Sequence, residues 1–182
     1  MRVISGILKG KKLTLPKNKK TRPLKDLVKE SIFNIINHSS LINIEVKNSN
    51  ILDLFSGIGS FGIECISRGA KKVTFIENDL DAIKILKKNL NRIHNFQLIQ
   101  NDCFKLLENK NLIEKFNIIF IDPPYKEHKI NEIIEEILNQ KLLNNNGLVI
   151  IHRHRKDNLK ITGKLNIFLE RNYGLSKIYF GS

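Results

Sequence analysis

Between Asn50 and His152 the chain repeats one pattern: a short apolar run, a break, then a stretch whose apolar residues recur every three or four positions. "NILDLF" precedes "SFGIECISRG", where Gly69 marks the C-terminal end of a helix. "KVTFIE" precedes a helical stripe over about Asp79–Ile93 (Ala82, Ile83, Leu86, Leu90 and Ile93), and "FQLIQ" a short helix near Phe104–Glu108. "FNIIFID" precedes a helix over Ile130–Leu143, and "GLVIIH" follows it. Strands joined by helices run parallel, with both faces of the sheet covered. "KLNIFLE" and "LSKIYF" have no helix between them and predict an antiparallel hairpin at the edge. The expectation is α/β: one Rossmann-like domain over 25–182 with a seven-stranded, mostly parallel sheet. No internal repeat or low-complexity tract interrupts it.

The first break, "DLFSGIGSFGIE", spaces Gly57-x-Gly59-x-x-Gly62 after a strand and into a helix. Glycines there allow a tight turn and let a ligand press against the main chain. Twenty residues beyond Gly57, Glu77 ends the next strand, where a carboxylate accepts hydrogen bonds from both ribose hydroxyls of an adenosine. Nicotinamide nucleotides and S-adenosylmethionine both carry adenosine. Asp53, four residues before Gly57, favours the second, because a carboxylate suits an ammonium and a sulfonium and opposes a pyrophosphate. Asn101 and Asp102 follow the third strand, placed for an adenine amino group. Ser56, Asn78 and Cys103 complete the candidate donor set.

The break after "FNIIFID" is Asp122-Pro123-Pro124-Tyr125. Two prolines supply no N–H and fix φ, so neither helix nor central strand continues through them. What remains is an acid, carbonyl oxygens and a flat ring on the edge where open α/β sheets bind ligands. Such a corner suits the exocyclic amine of a nucleobase. N–H bonds to Asp122 and to the Pro123 carbonyl favour a pyramidal nitrogen whose lone pair faces the methyl donor, while Tyr125 stacks on the base.

Asp122 to Tyr125 look like the (D/N)PP(Y/F) motif of amino methyltransferases. With "DLFSGIGSFGIE", "TRPLKD", "SRGAKKVTFIE" and "RNYG", the chain resembles over its whole length the RsmD family of 16S rRNA guanine-N2 methyltransferases. The resemblance implies that Asp53 and Gly57–Gly59 hold the methionine end of S-adenosylmethionine, Glu77 its ribose, and Asp102 its adenine. It also implies a target guanine at Asp122, Pro123, Pro124 and Tyr125. One departure is Leu24, where the family tends to carry a small hydroxyl residue, a natural helix N-cap.

Charge points the same way. The chain carries +13, of which residues 1–30 hold ten Lys/Arg against Asp26 and Glu30. Codon bias can explain many lysines but not their crowding at one end. Residues 1–24, with "RVISGIL" and "KKLTL" as a hairpin around Lys9-Gly10, are expected to form a basic arm. Lys9, Lys11, Lys12, Lys19, Lys20 and Arg22 are its candidate phosphate contacts. After it, Val28, Ile32, Ile35 and Ile36 make a helical stripe over Lys25–Asn37.

The partner expected is 16S rRNA or a small-subunit assembly intermediate. No separate target-recognition domain follows the corner, which disfavours a sequence-specific DNA enzyme. An adenine-N6 or cytosine-N4 methyltransferase shares these residues, and a non-catalytic RNA-binding assembly factor could share the fold. No apolar run is long enough to span a membrane, no leader is apparent, and Cys65 and Cys103 lack metal-ligand spacing. A cytoplasmic monomer without metal is expected, with His152 and His154 as surface or RNA-facing charge and His128 as loop.

Overall fold

The computed structural model describes residues 1–16, 24–110, 112, 114–157, 161 and 163–182. Lys19, Lys20 and Arg22 of the expected arm lie outside them.

Chain order is α1 (Asp26–His38), β1 (Asn50–Leu54), α2 (Ser60–Ser67), β2 (Lys72–Glu77), α3 (Leu80–Asn89) and β3 (Phe96–Gln100). Then come α4 (Cys103–Glu108), β4 (Phe116–Ile121), α5 (Ile130–Asn139), β5 (Leu143–His154), β6 (Ile167–Tyr173) and β7 (Ser176–Gly181). One seven-stranded sheet has the order β3-β2-β1-β4-β5-β7-β6. Its first five strands are parallel, and β7 enters antiparallel between β5 and β6. This is the expected α/β class with an antiparallel end.

Period-2 alternation divides the core. Ile51, Val73, Phe75, Ile118, Phe120 and Ile150 pack with α1, α2 and α3. Leu52, Ile76, Ile119, Ile121 and Ile151 point the other way, toward α4 and α5. Every one of these is fully buried or nearly so, which accounts for strands that read as continuous apolar runs.

The helices end earlier than the apolar stripes suggest. α3 stops at Asn89 and α5 at Asn139, and Arg92 (φ 61°) and Lys141 (φ 53°) then take left-handed conformations that reverse the chain. Conversely, β5 extends past "GLVIIH" to His154, because β7 supplies partners for His152, Arg153 and His154. At α1, Lys25 occupies the N-cap with no side-chain bond, and Leu24 stands one residue before it, so the helix starts without a side-chain cap. Burial of Val28, Ile32, Phe33 and Ile36 holds it instead.

Residues 1–16 fold back on themselves, but with a single ladder bridge, Arg2 to Lys12, rather than two regular strands. The segment is seated on the domain by Glu64 of α2, which is wholly buried. Its carboxylate accepts from the N–H of Ile4 (2.8 Å) and Ser5 (2.9 Å) and from Arg68 Nε (2.9 Å), with Lys29 Nζ at 3.4 Å. Lys29 in turn donates to the Arg2 carbonyl at 2.8 Å. A buried acid therefore has two cations and two amides around it, which offsets its desolvation. No helix among the described residues is long and apolar enough to cross a membrane.

Candidate active site

β1 lies between β2 and β4, so the strand order reverses there, and ligands of open α/β sheets bind at such a switch. The glycine turn leaves β1 and the Asp-Pro-Pro-Tyr corner leaves β4. Those two strands pair in register, Asp53 with Phe120 and Leu54 with Ile121. A cavity of about 610 Å³ opens between them, a size suited to one nucleoside-like ligand. Its wall brings together Asp53, Ser56, Gly57, Glu77 and Asn78 on one side and Asp122, Pro123, Pro124 and Tyr125 on the other.

The turn is held open from below. Phe55 sits at φ 58°, a conformation that costs a side-chain-bearing residue about 1–2 kcal/mol. Ser56 Oγ donates toward the Asp53 carbonyl (2.6 Å) with the Ile76 carbonyl at 3.0 Å. Gly57 (φ 55°) gives its N–H to Glu77 Oε2 at 2.6 Å, and the space where its Cβ would stand is open. Glu77 Oε1 accepts from the N–H of Asn78 (2.9 Å) and Asp79 (2.8 Å). Both oxygens are thus pinned by main chain while the side chain still reaches the cavity. Beneath, the rings of Phe33, Phe61 and Phe120 stack at 5.3 and 4.0 Å, and the Arg68 guanidinium covers Phe33 at 4.2 Å.

Asp53 is 1% exposed, and among the described residues its Oδ2 accepts only the N–H of Gly62, at 3.0 Å. Burial pushes its pKa well above the ordinary carboxylate range; the nearby charges of Asp122 and Glu77 add to the rise, and the Gly62 bond opposes it. A cation placed in the cavity would reverse that strain. Ser60 Oγ, also in the wall, is buried with no hydrogen-bond partner among the described residues, so a polar ligand group could satisfy it. These features fit a cationic, polar donor such as S-adenosylmethionine.

Three of the expected donor residues stand outside the wall. Gly59 (φ 81°) instead admits Leu86, whose Cδ1 would lie 2.4 Å from an added Cβ. Asp102 caps α4 through the N–H groups of Phe104 and Lys105 and reaches the cavity only through Asn78, whose Nδ2 donates to its Oδ2 at 2.9 Å. Cys103 is buried beneath the turn, and desolvation raises its thiol, as it does that of Cys65, so neither is a ready nucleophile at neutral pH.

At the corner, Asp122 Oδ1 lies 2.7 Å from His152 Nδ1, and Oδ2 has no partner among the described residues. Tyr125, 37% exposed, meets the rings of His154 (5.2 Å) and His152 (6.4 Å) edge-on. His152 is buried, contrary to its reading as surface charge, and lines the cavity. Alternation along "VIIHRH" would not reveal this, because the burying element, β7, arrives from the end of the chain. Of the arm's lysines, Lys9 and Lys12 are exposed, and Lys11 donates to the Asn91 carbonyl at 3.3 Å. No cluster of metal-binding side chains is present among the described residues.

A doubly wound sheet with an acid-braced glycine turn facing an Asp-Pro-Pro-Tyr corner defines the class: a Rossmann-like methyltransferase. Within that class, residues 1–182 match the family model described as Conserved hypothetical protein 95, and the chain belongs to that family, the one that includes RsmD. Ribosomal RNA small subunit methyltransferase D of Buchnera aphidicola (subsp. Baizongia pistaciae) is 33% identical over 182 residues, covering 99% of this chain and 89% of the relative. The solved structure of yhhF from Escherichia coli superposes with a TM-score of 0.81 at 25% identity, over 100% of this chain and 96% of its own. SMU.776, solved in complex with SAH, shares the fold at TM-score 0.63 and 19% identity, over 82% of this chain and 49% of its own.

Proposed function

We propose that this methyltransferase uses S-adenosylmethionine to methylate the exocyclic N2 amine of a guanine in small-subunit rRNA. The observation that carries the reading is Asp122, held at the cavity's edge across one strand pair from the donor turn. When bound, the donor supplies an electrophilic methyl carbon on a sulfonium. Glu77 receives the ribose hydroxyls, Asp53 and Ser60 the methionine end, and Asn78, backed by Asp102, the adenine edge. Asp122 Oδ2 and the Pro123 carbonyl accept the two N–H bonds of the target amine, turning its lone pair toward the methyl carbon. With the donor bound, the amine nitrogen would take the methyl group as the C–S bond breaks, leaving a neutral thioether, and would lose one proton to water. Tyr125 offers its face to the unstacked base, a contact worth about 1–3 kcal/mol in single-strand binders.

The substrate class rests on the relatives' rRNA methyltransferase names, on the +13 charge and on exposed Lys9 and Lys12 beside the domain. Lys11, and by sequence alone Lys19, Lys20 and Arg22, are the further candidate phosphate contacts. We take the enzyme to act as a cytoplasmic monomer on an assembling subunit. Incubation with labelled donor and under-methylated small subunits, followed by mass mapping of nucleosides, tests the reading. N2-methylguanosine is the expected product; N6-methyladenosine or N4-methylcytidine would transfer the same mechanism to another base, and no methylation at all would refute it.

A further inference from the structure

His152 and Arg153 read in sequence as the polar end of a strand, yet they are 5% and 1% exposed and, as consecutive strand residues, point to opposite faces of the sheet. Each grips the acceptor corner. His152 Nδ1 lies 2.7 Å from Asp122 Oδ1, and its Nε2 lies 2.9 Å from Ser176 Oγ. Arg153 donates from Nη1 to the Pro124 carbonyl (3.2 Å) and from Nη2 to those of Tyr125 (3.2 Å) and Glu127 (2.9 Å). Its Nε bonds Asp157 Oδ2 at 2.6 Å, which neutralises the buried cation.

The row Ser176–His152–Asp122 has the spacing of a nucleophilic triad, but in reverse. The acid lines the cavity, whereas Ser176 is buried and outside its wall. A hydrolase needs the serine at the substrate. Here the row serves the acid. Arg153 answers a different need: Pro123 and Pro124 have no N–H, so this loop cannot be tied down by donating from those positions. Its carbonyls are free to hold it instead, and one guanidinium takes three of them.

We infer that His152 and Arg153 are positioning residues for methyl transfer, fixing the Asp122 carboxylate from one face of β5 and the Pro124–Glu127 main chain from the other. This rests on the assignment of Asp122 to Tyr125 as the acceptor corner. An ionised carboxylate can only accept, so Nδ1 carries the ring hydrogen and gives it to Asp122 Oδ1, which leaves Nε2 of the neutral ring to accept from the Ser176 hydroxyl. Oδ2 is thereby left for the incoming amine.

The test separates orientation from bulk, using the full chain with the acceptor that the wild type methylates. His152→Ala is expected to lower kcat about 100-fold, the scale of a small misplacement of a reacting group, with donor affinity unchanged. His152→Asn, whose Nδ2 stands where Nδ1 stood, should restore most of that loss; His152→Gln, which reaches toward Ser176 instead, should not. An Asn variant no better than Ala, or an Ala variant with wild-type kcat, overturns the inference. Arg153→Lys, with one ammonium for three carbonyls, should lower kcat at least tenfold, and wild-type kcat would remove Arg153 from the role. If that variant fails to fold, Ser176→Ala, which frees the ring tautomer, should lower kcat severalfold, and an unchanged kcat would count against the relay. Nitrogen-15 spectra of the ligand-free protein give a readout that needs no RNA. The imidazole resonance missing from His152→Asn should show a protonated Nδ1, and a bare Nδ1 overturns the inference whatever base proves to be the acceptor. Absence of methyl transfer by the wild type would instead refute the proposed function.

Discussion

The two walls of the cavity are built by different means. On the donor side, Gly57, Asn78 and Asp79 give main-chain N–H groups to Glu77, and Gly62 gives one to Asp53. All of it lies within two consecutive strand–turn–helix units. On the acceptor side, Asp122 is held by a side chain from β5 that is itself held by one from β7, and the loop beyond by Arg153. A site made of main chain and neighbours is written locally. A site made of side chains from distant strands exists only once the sheet has closed.

If the walls are separable, a change in one leaves the other's measurable intact. The largest effect belongs to Asp122→Ala, which removes the proposed acceptor of the target amine. Methyl transfer at saturating donor should fall by about 100- to 1,000-fold, with donor affinity by calorimetry unchanged. A parallel loss of donor affinity would show that the two walls act as one. Glu77→Gln is the mirror experiment. Weakening the proposed charge-assisted ribose contact, worth about 1.5–3 kcal/mol, should reduce donor affinity by roughly 10- to 100-fold, while kcat at saturating donor holds. A fall in kcat would place Glu77 in the chemistry as well.

Within the donor wall the glycines divide in the same way. A Cβ on Gly62 would lie 2.2 Å from Phe75 Cε1, whereas one on Gly57 would meet nothing within 4 Å. Gly62→Ala should therefore cost about 1–3 kcal/mol of stability by overpacking and spare donor affinity in the folded fraction. Gly57→Ala places its methyl in the open space of the cavity wall, so on the proposed donor site it should lose donor affinity first. Equal affinities for the two variants would mean the turn does not touch the donor.

This division tracks what could be read in advance. The strand–helix alternation, the glycine turn, Glu77 and the proline corner are local patterns, and the sheet places all of them at one switch point. Gly59 and Asp102 share the motif's spacing but serve packing and capping, a distinction that depends on Leu86 and on α4 being in place. Glu64 and Lys29 look in sequence like the polar side of amphipathic helices. Only the N-terminal segment, docking from some sixty residues away, turns them into a buried pair. His152 and Arg153 are hidden for the same reason: their corner partners lie about thirty positions upstream and Ser176 of β7 lies 24 downstream, and no periodicity encodes contacts of that kind.

The smallest expected effect is a pH dependence confined to the donor wall. Burial, then the neighbouring charges of Asp122 and Glu77, raise Asp53 well above the ordinary carboxylate range, so the folded chain keeps a proton that the unfolded chain has lost. Stability linked to this group is therefore full below the unfolded pKa and declines as pH rises toward the folded one. Asp53→Asn has no such proton to lose. The difference in Tm between variant and wild type should be small at the acid end and grow in the variant's favour as pH rises. A difference independent of pH would mean that Asp53 is not strained. Donor binding should show the opposite slope, because an ammonium and a sulfonium favour the ionised carboxylate and expel its proton. Wild-type donor affinity should then increase with pH across that window while the Asn variant stays flat, and two flat curves would detach Asp53 from the cationic end of the donor.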